Sequence, residues 1–204
     1  MKIFGIICEY NPFHNGHARQ LEFCRSNGAD LIFCAMSGDF TQRGEPAVLE
    51  KRIRAKHAVQ SGADLVAELP LPYAAAGAKD FAEGGVKLLE KMGCTHICFG
   101  SECGNISLLE KAAELIDSDS FNNSLKLHIK AGKSYPVSAE LAGEEYGGVL
   151  NAPNNILAVE YLRALKSVGS AMQPITLTRN TDYCSESLDL SLIHISEPTR
   201  QAEI

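Results

Sequence analysis

A series of short apolar runs, each closed by a polar, glycine- or proline-bearing stretch and followed by a helical pattern, sets the strongest limit on this fold. Ile3 to Cys8, Asp30 to Met36, Asp64 to Leu69 and Thr95 to Phe99 read as strands buried on both faces, because they lack the strict alternation of a half-exposed sheet. Gly16 to Ser26, Ala47 to Ser61 and Lys79 to Met92 carry helical spacing between them. The helix at Ala47 is expected to start at Pro46, to bury Val48, Ile53, Ala55 and Val59, and to end at Gly62. Beyond the fourth strand the chain is mostly helical, over Ser107 to Asp117, Phe121 to Ala131, Val137 to Glu145 and Asn155 to Val168. A last strand follows at Ile175 to Arg179. Alternating units of this kind predict an α/β fold: a doubly wound parallel sheet, Rossmann-like, with additional helices in the C-terminal half.

With 204 residues, 45% hydrophobic and 22% charged, the chain has enough apolar material for one core. No apolar run is long enough to span a bilayer, and Glu9 interrupts the N-terminal run before a signal pattern develops, so a cytoplasmic protein without a membrane partner is expected. A net charge of −6 argues against this chain alone gripping nucleic acid tightly, since phosphate contacts need clustered Lys and Arg. Seven cysteines (Cys8, Cys24, Cys34, Cys94, Cys98, Cys103, Cys184) lie mostly in apolar stretches without C-x-x-C spacing. They are expected to be buried thiols, with no metal site.

Chemistry concentrates where strands end. Between the first strand and first helix the chain reads Glu9-Tyr10-Asn11-Pro12-Phe13-His14-Asn15-Gly16-His17. A helix N-terminus at that end of a parallel sheet offers backbone N–H groups to a phosphate. His14 and His17, bracketing a glycine, can donate to the oxygens whose charge grows as an α-phosphorus is attacked. The bland alternative is an ordinary first-turn pair.

Met36 to Pro46 is a polar loop in which Arg43 can pair with phosphate or carboxylate, and Asp39 can orient a substrate or metal, or else the loop simply caps the next helix. At the end of the fourth strand, in Phe99-Gly100-Ser101-Glu102, Gly100 would let a base or ribose approach the backbone, if it is more than a turn. Pro153-Asn154-Asn155-Ile156-Leu157 opens a helix with Asn154 or Asn155 as cap, and Arg179 closes a strand within reach of bound phosphate. His57, His96 and His128 lack partners at ligand spacing and are expected at the surface or in satisfied core positions.

The H-x-G-H at His14 to His17 resembles the signature of the nucleotidyltransferase superfamily, which includes class I aminoacyl-tRNA synthetases. Taken in order, E-Y-N-P-F-H-N-G-H, M-S-G-D-F-T-Q-R-G-E-P-A, E-L-P at Glu68 to Pro70, F-G-S-E and P-N-N-I-L resemble the tRNA(Met) cytidine acetate ligase family across residues 1 to 183. That resemblance implies activation of acetate with ATP, accompanied by Mg²⁺, to acetyl-adenylate and pyrophosphate. The acetyl group then passes to N4 of the wobble cytidine of elongator tRNA(Met).

Carried over by motif, ATP contacts fall on Gly5, Ile6, Ile7, Cys8, Glu9, Tyr10, Asn11, Pro12, Phe13, His14, Asn15, Gly16, His17, Ala18, Gly100, Asn154 (preferred over Asn155) and Arg179. His14 and His17 would act on the α-phosphate, with Arg43 or Arg179 binding charge. Two rival readings are an adenylyltransferase for a phosphorylated metabolite of pantetheine or nicotinamide nucleotide type, and a non-catalytic nucleotide-binding fragment.

Ala158 stands where the family commonly has glycine, and Asp182-Tyr183-Cys184 departs from its Y-H-D-like continuation. From Leu190 the string Leu-Ser-Leu-Ile-His-Ile-Ser-Glu-Pro-Thr-Arg resembles one reading frame of a sequencing adapter. Residues 1–189 are therefore expected to form the nucleotidyltransferase-like domain and 190–204 a non-native tail, with a C-terminal helical region that helps hold tRNA missing.

Overall fold

The computed structural model describes residues 1–143 and 146–179. The expectations for Asp182 to Cys184 and for residues 190–204 lie outside the described residues.

β1 (Ile3–Cys8), β2 (Leu31–Ser37), β3 (Leu65–Leu69), β4 (His96–Ser101) and β5 (Gln173–Thr178) form one sheet in the order β3-β2-β1-β4-β5. Every neighbouring pair is parallel, with Ile3 opposite Leu31 and His96 opposite Gln173. Helices cover both faces, as the apolar runs require.

On one face, Phe4, Ile6 and Cys8 of β1 pack with Leu21 and Cys24 of α1 (Asn15–Ser26) and Ala58 of α2 (Lys51–Gln60). On the other, Ile3 and Ile7 meet a larger core built from α4 (Ala78–Lys91), α5 (Ile106–Ile116), α6 (Asp119–Lys130), α7 (Tyr135–Ala142) and α9 (Pro153–Val168). Leu89 and Ile97 there are wholly buried, each contributing about 1.5 to 3 kcal/mol. The doubly wound expectation holds.

Strand order reverses direction at β1. The chain moves to β2 and β3 on one side, then crosses to β4 and β5 on the other. The loops leaving β1 and β4 therefore diverge, and a crevice opens at the carboxyl ends between them.

The structure corrects the reading of α2. Pro46 does not begin it: Pro46 bridges Phe40, Ala47 N–H donates to the Asp39 carbonyl, and Thr41 N–H to that of Glu45. Residues 39–49 thus close a loop, and the helix starts only at Lys51. Its large apolar residues are also not its buried face. Val48 before the helix, and Ile53 and Val59 within it, are exposed; of the four residues expected to be buried only Ala55 packs, half-buried, against the core, while Arg54, His57 and Ala58 are buried.

Two one-turn helices, α3 (Leu71–Ala74) and α8 (Gly147–Leu150), were not legible in the periodicity. Among the lone histidines, His96 stacks on Phe4 with ring centroids 4.4 Å apart and meets the Thr95 hydroxyl through Nδ1. His128 is half-buried near the end of α6. His57 is buried with Nδ1 unpartnered among the described residues, so it is not a satisfied core histidine. Cys8, Cys24, Cys34, Cys94 and Cys98 are buried free thiols, and Cys103 is half-buried. Cys184 lies outside the described residues.

Candidate active site

β1 ends at Cys8, and the next residue but one turns the chain sharply. Tyr10 has φ 49°, a left-handed conformation that L side chains enter at a cost of about 1 kcal/mol or more. Burial holds it there: the Tyr10 ring sits edge-on to Phe13 at 4.9 Å and against His17 at 4.8 Å. Its hydroxyl lies 3.5 Å from Cys34 Sγ. Phe13 is fully buried as well, so this pair fixes both where α1 begins and the outward direction of its first turn.

His14 is the N-cap of α1 and His17 its third residue, and together they occupy the two side-chain positions of a capping box. His14 Nδ1 accepts from Gly16 N–H at 3.1 Å, and His17 Nδ1 accepts from His14 N–H at 3.3 Å. The rings stack with centroids 3.7 Å apart. A Cβ on Gly16 would stand 2.9 Å from His14 Cε1, so the intervening residue must be glycine for the ring to fold back over the helix start.

These bonds set the tautomer. A nitrogen that accepts a hydrogen bond carries no proton, so each neutral ring bears its hydrogen on Nε2. Burial holds the His14 pKa below its ordinary value, with the Arg179 charge adding to this. Burial pushes His17 further down, helped by His14 and Arg179. The first turn of α1 also carries no acidic residue. The site therefore presents N–H donors and a helix's positive end to an anion, with neither imidazole charged beforehand.

A cleft of about 600 Å³ opens over this helix start. Of the residues expected to contact ATP, Ile7, Cys8, Glu9, Tyr10, Asn11, Pro12, His14, His17, Gly100, Asn154 and Arg179 line it, as does Arg43. Gly5, Ile6, Phe13, Asn15, Gly16 and Ala18 do not. Gly5 is packed beneath Leu89, Ile6 and Phe13 are core, Gly16 is covered by the His14 ring, Asn15 is exposed, and Ala18 packs against the α1 face of the core.

The wall on the β2 side is the loop of residues 39–49, laced to the β1 loop. Gln42 N–H donates to Glu9 Oε1 at 2.6 Å, and Val48 N–H to Asn11 Oδ1 at 2.7 Å. Beneath both lies Arg54, almost wholly buried, whose guanidinium donates to the carbonyls of Leu49, Glu9, Ser37 and Gly38. One side chain thus ties the ends of β1 and β2 to the start of α2. Burial lowers its pKa, yet an arginine stays charged at any pH at which the protein folds. Asp39 is not part of the cleft: it is one of two carboxylates on Lys51, at 3.2 Å, the other being Glu68 at 2.9 Å.

The opposite wall is β4, β5 and the start of α9. A Cβ on Gly100 would fall 2.6 Å from Arg179 Cδ, so this glycine makes room for the arginine side chain lying across it. Arg179 in turn donates to Asn154 Oδ1 at 2.6 Å. Asn155 is buried and accepts from the N–H groups of Glu102 and Cys103, which leaves Asn154 as the asparagine on the cleft.

Sequence reasoning missed several contributors. Gln20, one turn after His17, lines the cleft and donates to the Cys98 carbonyl at 3.1 Å; Tyr161, two turns after Asn154, lines it from α9. Helical spacing could have found both. Thr41 lines the cleft with a buried hydroxyl that has no partner among the described residues; the sequence marked its loop but not this residue. No group of three or more His, Cys, Asp or Glu among the described residues is placed to hold a metal.

The matches to known proteins agree with this geometry. A family model described as HIGH Nucleotidyl Transferase covers residues 1–199. This chain belongs to that family. It is 43% identical to the tRNA(Met) cytidine acetate ligase of Acetivibrio thermocellus, over 94% of the chain and 49% of the relative. The corresponding Bacillus subtilis protein is 41% identical over 98% of the chain and 50% of the relative. Thermotoga maritima TmcAL, in a crystal structure bound with alpha-thio ATP, superposes with a TM-score of 0.81 at 36% identity, covering 89% of this chain and 47% of that one. The resemblance read from the ordered motifs is thus borne out, and the chain spans about half the length of these relatives.

Proposed function

We propose that this chain is the ATP-binding, adenylate-forming part of a tRNA(Met) cytidine acetate ligase. The reading places ATP in the cleft with its α-phosphate over the start of α1 and its nucleoside toward Gly100, Asn154 and Arg179. The observation that carries it is the histidine pair: two rings locked by their own capping bonds, each with Nε2–H left to donate.

An acetate oxygen attacks the α-phosphorus, forming one P–O bond as the bond to pyrophosphate breaks. Charge rises on the non-bridging oxygens, where His14 and His17 donate. Because the nucleophile is a carboxylate, no activated serine or cysteine is needed. Arg43 and Arg179 bring positive charge from opposite walls. Mg²⁺, if it accompanies ATP, would be carried on the polyphosphate and would supply charge neutralisation there, as suits a cation that keeps much of its hydration shell. Among the described residues, no group of His, Cys, Asp or Glu is arranged to hold that ion by itself.

N4 of the wobble cytidine of elongator tRNA(Met) then attacks the acetyl carbonyl, forming an amide as the acyl–oxygen bond to AMP breaks and an N4 proton is lost. The half of the relatives that this chain does not span is where the reading places most tRNA contacts. The deciding measurement is pyrophosphate release from ATP by this chain, with and without acetate. Release that rises with acetate supports the ligase reading; full-rate release without acetate overturns it.

A further inference from the structure

Glu102 follows β4 and does not line the cleft, yet it is bonded to both asparagines at the start of α9. Its Oε1 accepts from Asn154 N–H at 3.1 Å and from Asn154 Nδ2 at 2.7 Å, and its Oε2 accepts from Asn155 N–H at 2.8 Å. Asn155 returns the contact by accepting from the N–H groups of Glu102 and Cys103. Ala152, the N-cap of α9, provides no side-chain bond, so the capping carboxylate comes from fifty residues earlier in the chain.

An asparagine amide has one donating and one accepting end, and it is free to flip unless its neighbours choose for it. Here a carboxylate, which can only accept, faces Nδ2. Oδ1 is thereby turned the other way, onto the Arg179 guanidinium at 2.6 Å. Gly100 leaves the channel along which the arginine stem lies. We propose that Glu102 is a positioning residue for nucleotide binding: it fixes the Asn154 amide, and that amide fixes Arg179.

This inference rests on the reading that ATP occupies the cleft, and it makes a prediction of unexpected sign. Removing a carboxylate near a polyphosphate should tighten binding if only charge matters. If Glu102 acts through Asn154 and Arg179, Glu102→Ala weakens ATP binding instead. The loss is about tenfold, the size of one charge-assisted hydrogen bond.

The test is a double-mutant cycle on the full chain, reading ATP dissociation constants by calorimetry for wild type, Glu102→Ala, Arg179→Ala and the pair. The relay predicts that Glu102→Ala costs several-fold less once Arg179 is gone. An equal loss in both backgrounds means a merely structural role and overturns the proposal, as does tighter binding in Glu102→Ala. If Glu102→Ala does not fold, Glu102→Gln replaces it, keeping the size of the side chain while removing the acceptor-only group that faces Asn154 Nδ2. Non-additivity with Arg179→Ala then supports the relay, and additivity overturns it. If wild type and Arg179→Ala bind ATP equally, the placement of ATP itself fails. If Arg179→Ala weakens binding while Glu102→Ala does not, only the relay fails.

Discussion

Two helices begin at this cleft, and they treat their exposed N–H groups in opposite ways. α1 is capped from within by neutral imidazoles and has no acidic residue in its first turn. α9 is capped from outside by the Glu102 carboxylate, which takes up two backbone N–H groups and cancels much of the positive end. The difference leaves the positive end of α1 open to an anion, whereas on the α9 side the helix end is neutralised and the cation is the Arg179 side chain. It also separates two kinds of fastening. The α1 side rests on Arg54 gathering backbone carbonyls; the α9 side rests on side chains joined in series.

The hardest way to break the first wall is to remove Arg54. Arg54→Met keeps the stem and leaves the carbonyls of Glu9, Ser37, Gly38 and Leu49 without their donor, a loss of about 3 kcal/mol in the urea unfolding free energy. A loss under about 0.5 kcal/mol, within the range of ordinary surface substitutions, would show that the guanidinium does not hold this wall together.

His17→Gln separates capping from chemistry. Glutamine at the third helical position preserves a capping box, so stability stays close to wild type while acetate-dependent pyrophosphate release falls about a hundredfold. Unchanged turnover would remove His17 from the reaction.

On the second wall, Asn155→Ala frees the N–H groups of Glu102 and Cys103 and costs about 2 kcal/mol, again read by urea unfolding. ATP affinity should drop with it, since the Glu102 clasp loosens. Affinity that stays put while stability falls would mean that the clasp serves the fold alone.

The smallest effect is on acidity. Free histidine titrates near pH 6.5, and burial lowers His14 and His17 below that value. In that window the unfolded chain binds more protons than the folded one, so stability is full above about pH 6.5 and falls as pH drops through the folded values. Protonation also needs Nδ1, which the caps occupy. His17→Gln should flatten the slope of stability against pH between 7.5 and 5.5, measured by thermal unfolding; an unchanged slope would place the titration elsewhere.

What the sequence revealed divides along physical lines. The central strands β1, β2 and β4 could be read because they are largely buried and apolar, whereas the edge strands β3 and β5 are mostly half-buried or exposed; the β1 loop could be read because its residues are contiguous. α2 could not, because an arginine and a histidine share its buried face with Ala58 while Ile53 and Val59 face out, so periodicity pointed to the wrong face. Pro46 misled for a related reason: a proline that suits a helix start also suits the neck of a loop. The Glu102 clasp joins residues fifty apart, beyond any local pattern. The choice between Asn154 and Asn155 needed the fold to decide which amide was buried.

The capping box on α1 carries a consequence for self-inflicted damage. On the proposed reading the cleft makes a mixed anhydride a few ångströms from two imidazoles, and imidazole attacks such anhydrides through its unprotonated nitrogen. In both rings that nitrogen is Nδ1, turned inward and engaged by a helix N–H. What faces the anhydride is the protonated, non-nucleophilic Nε2. On that reading, the bonds that begin the helix also keep both rings from being acylated.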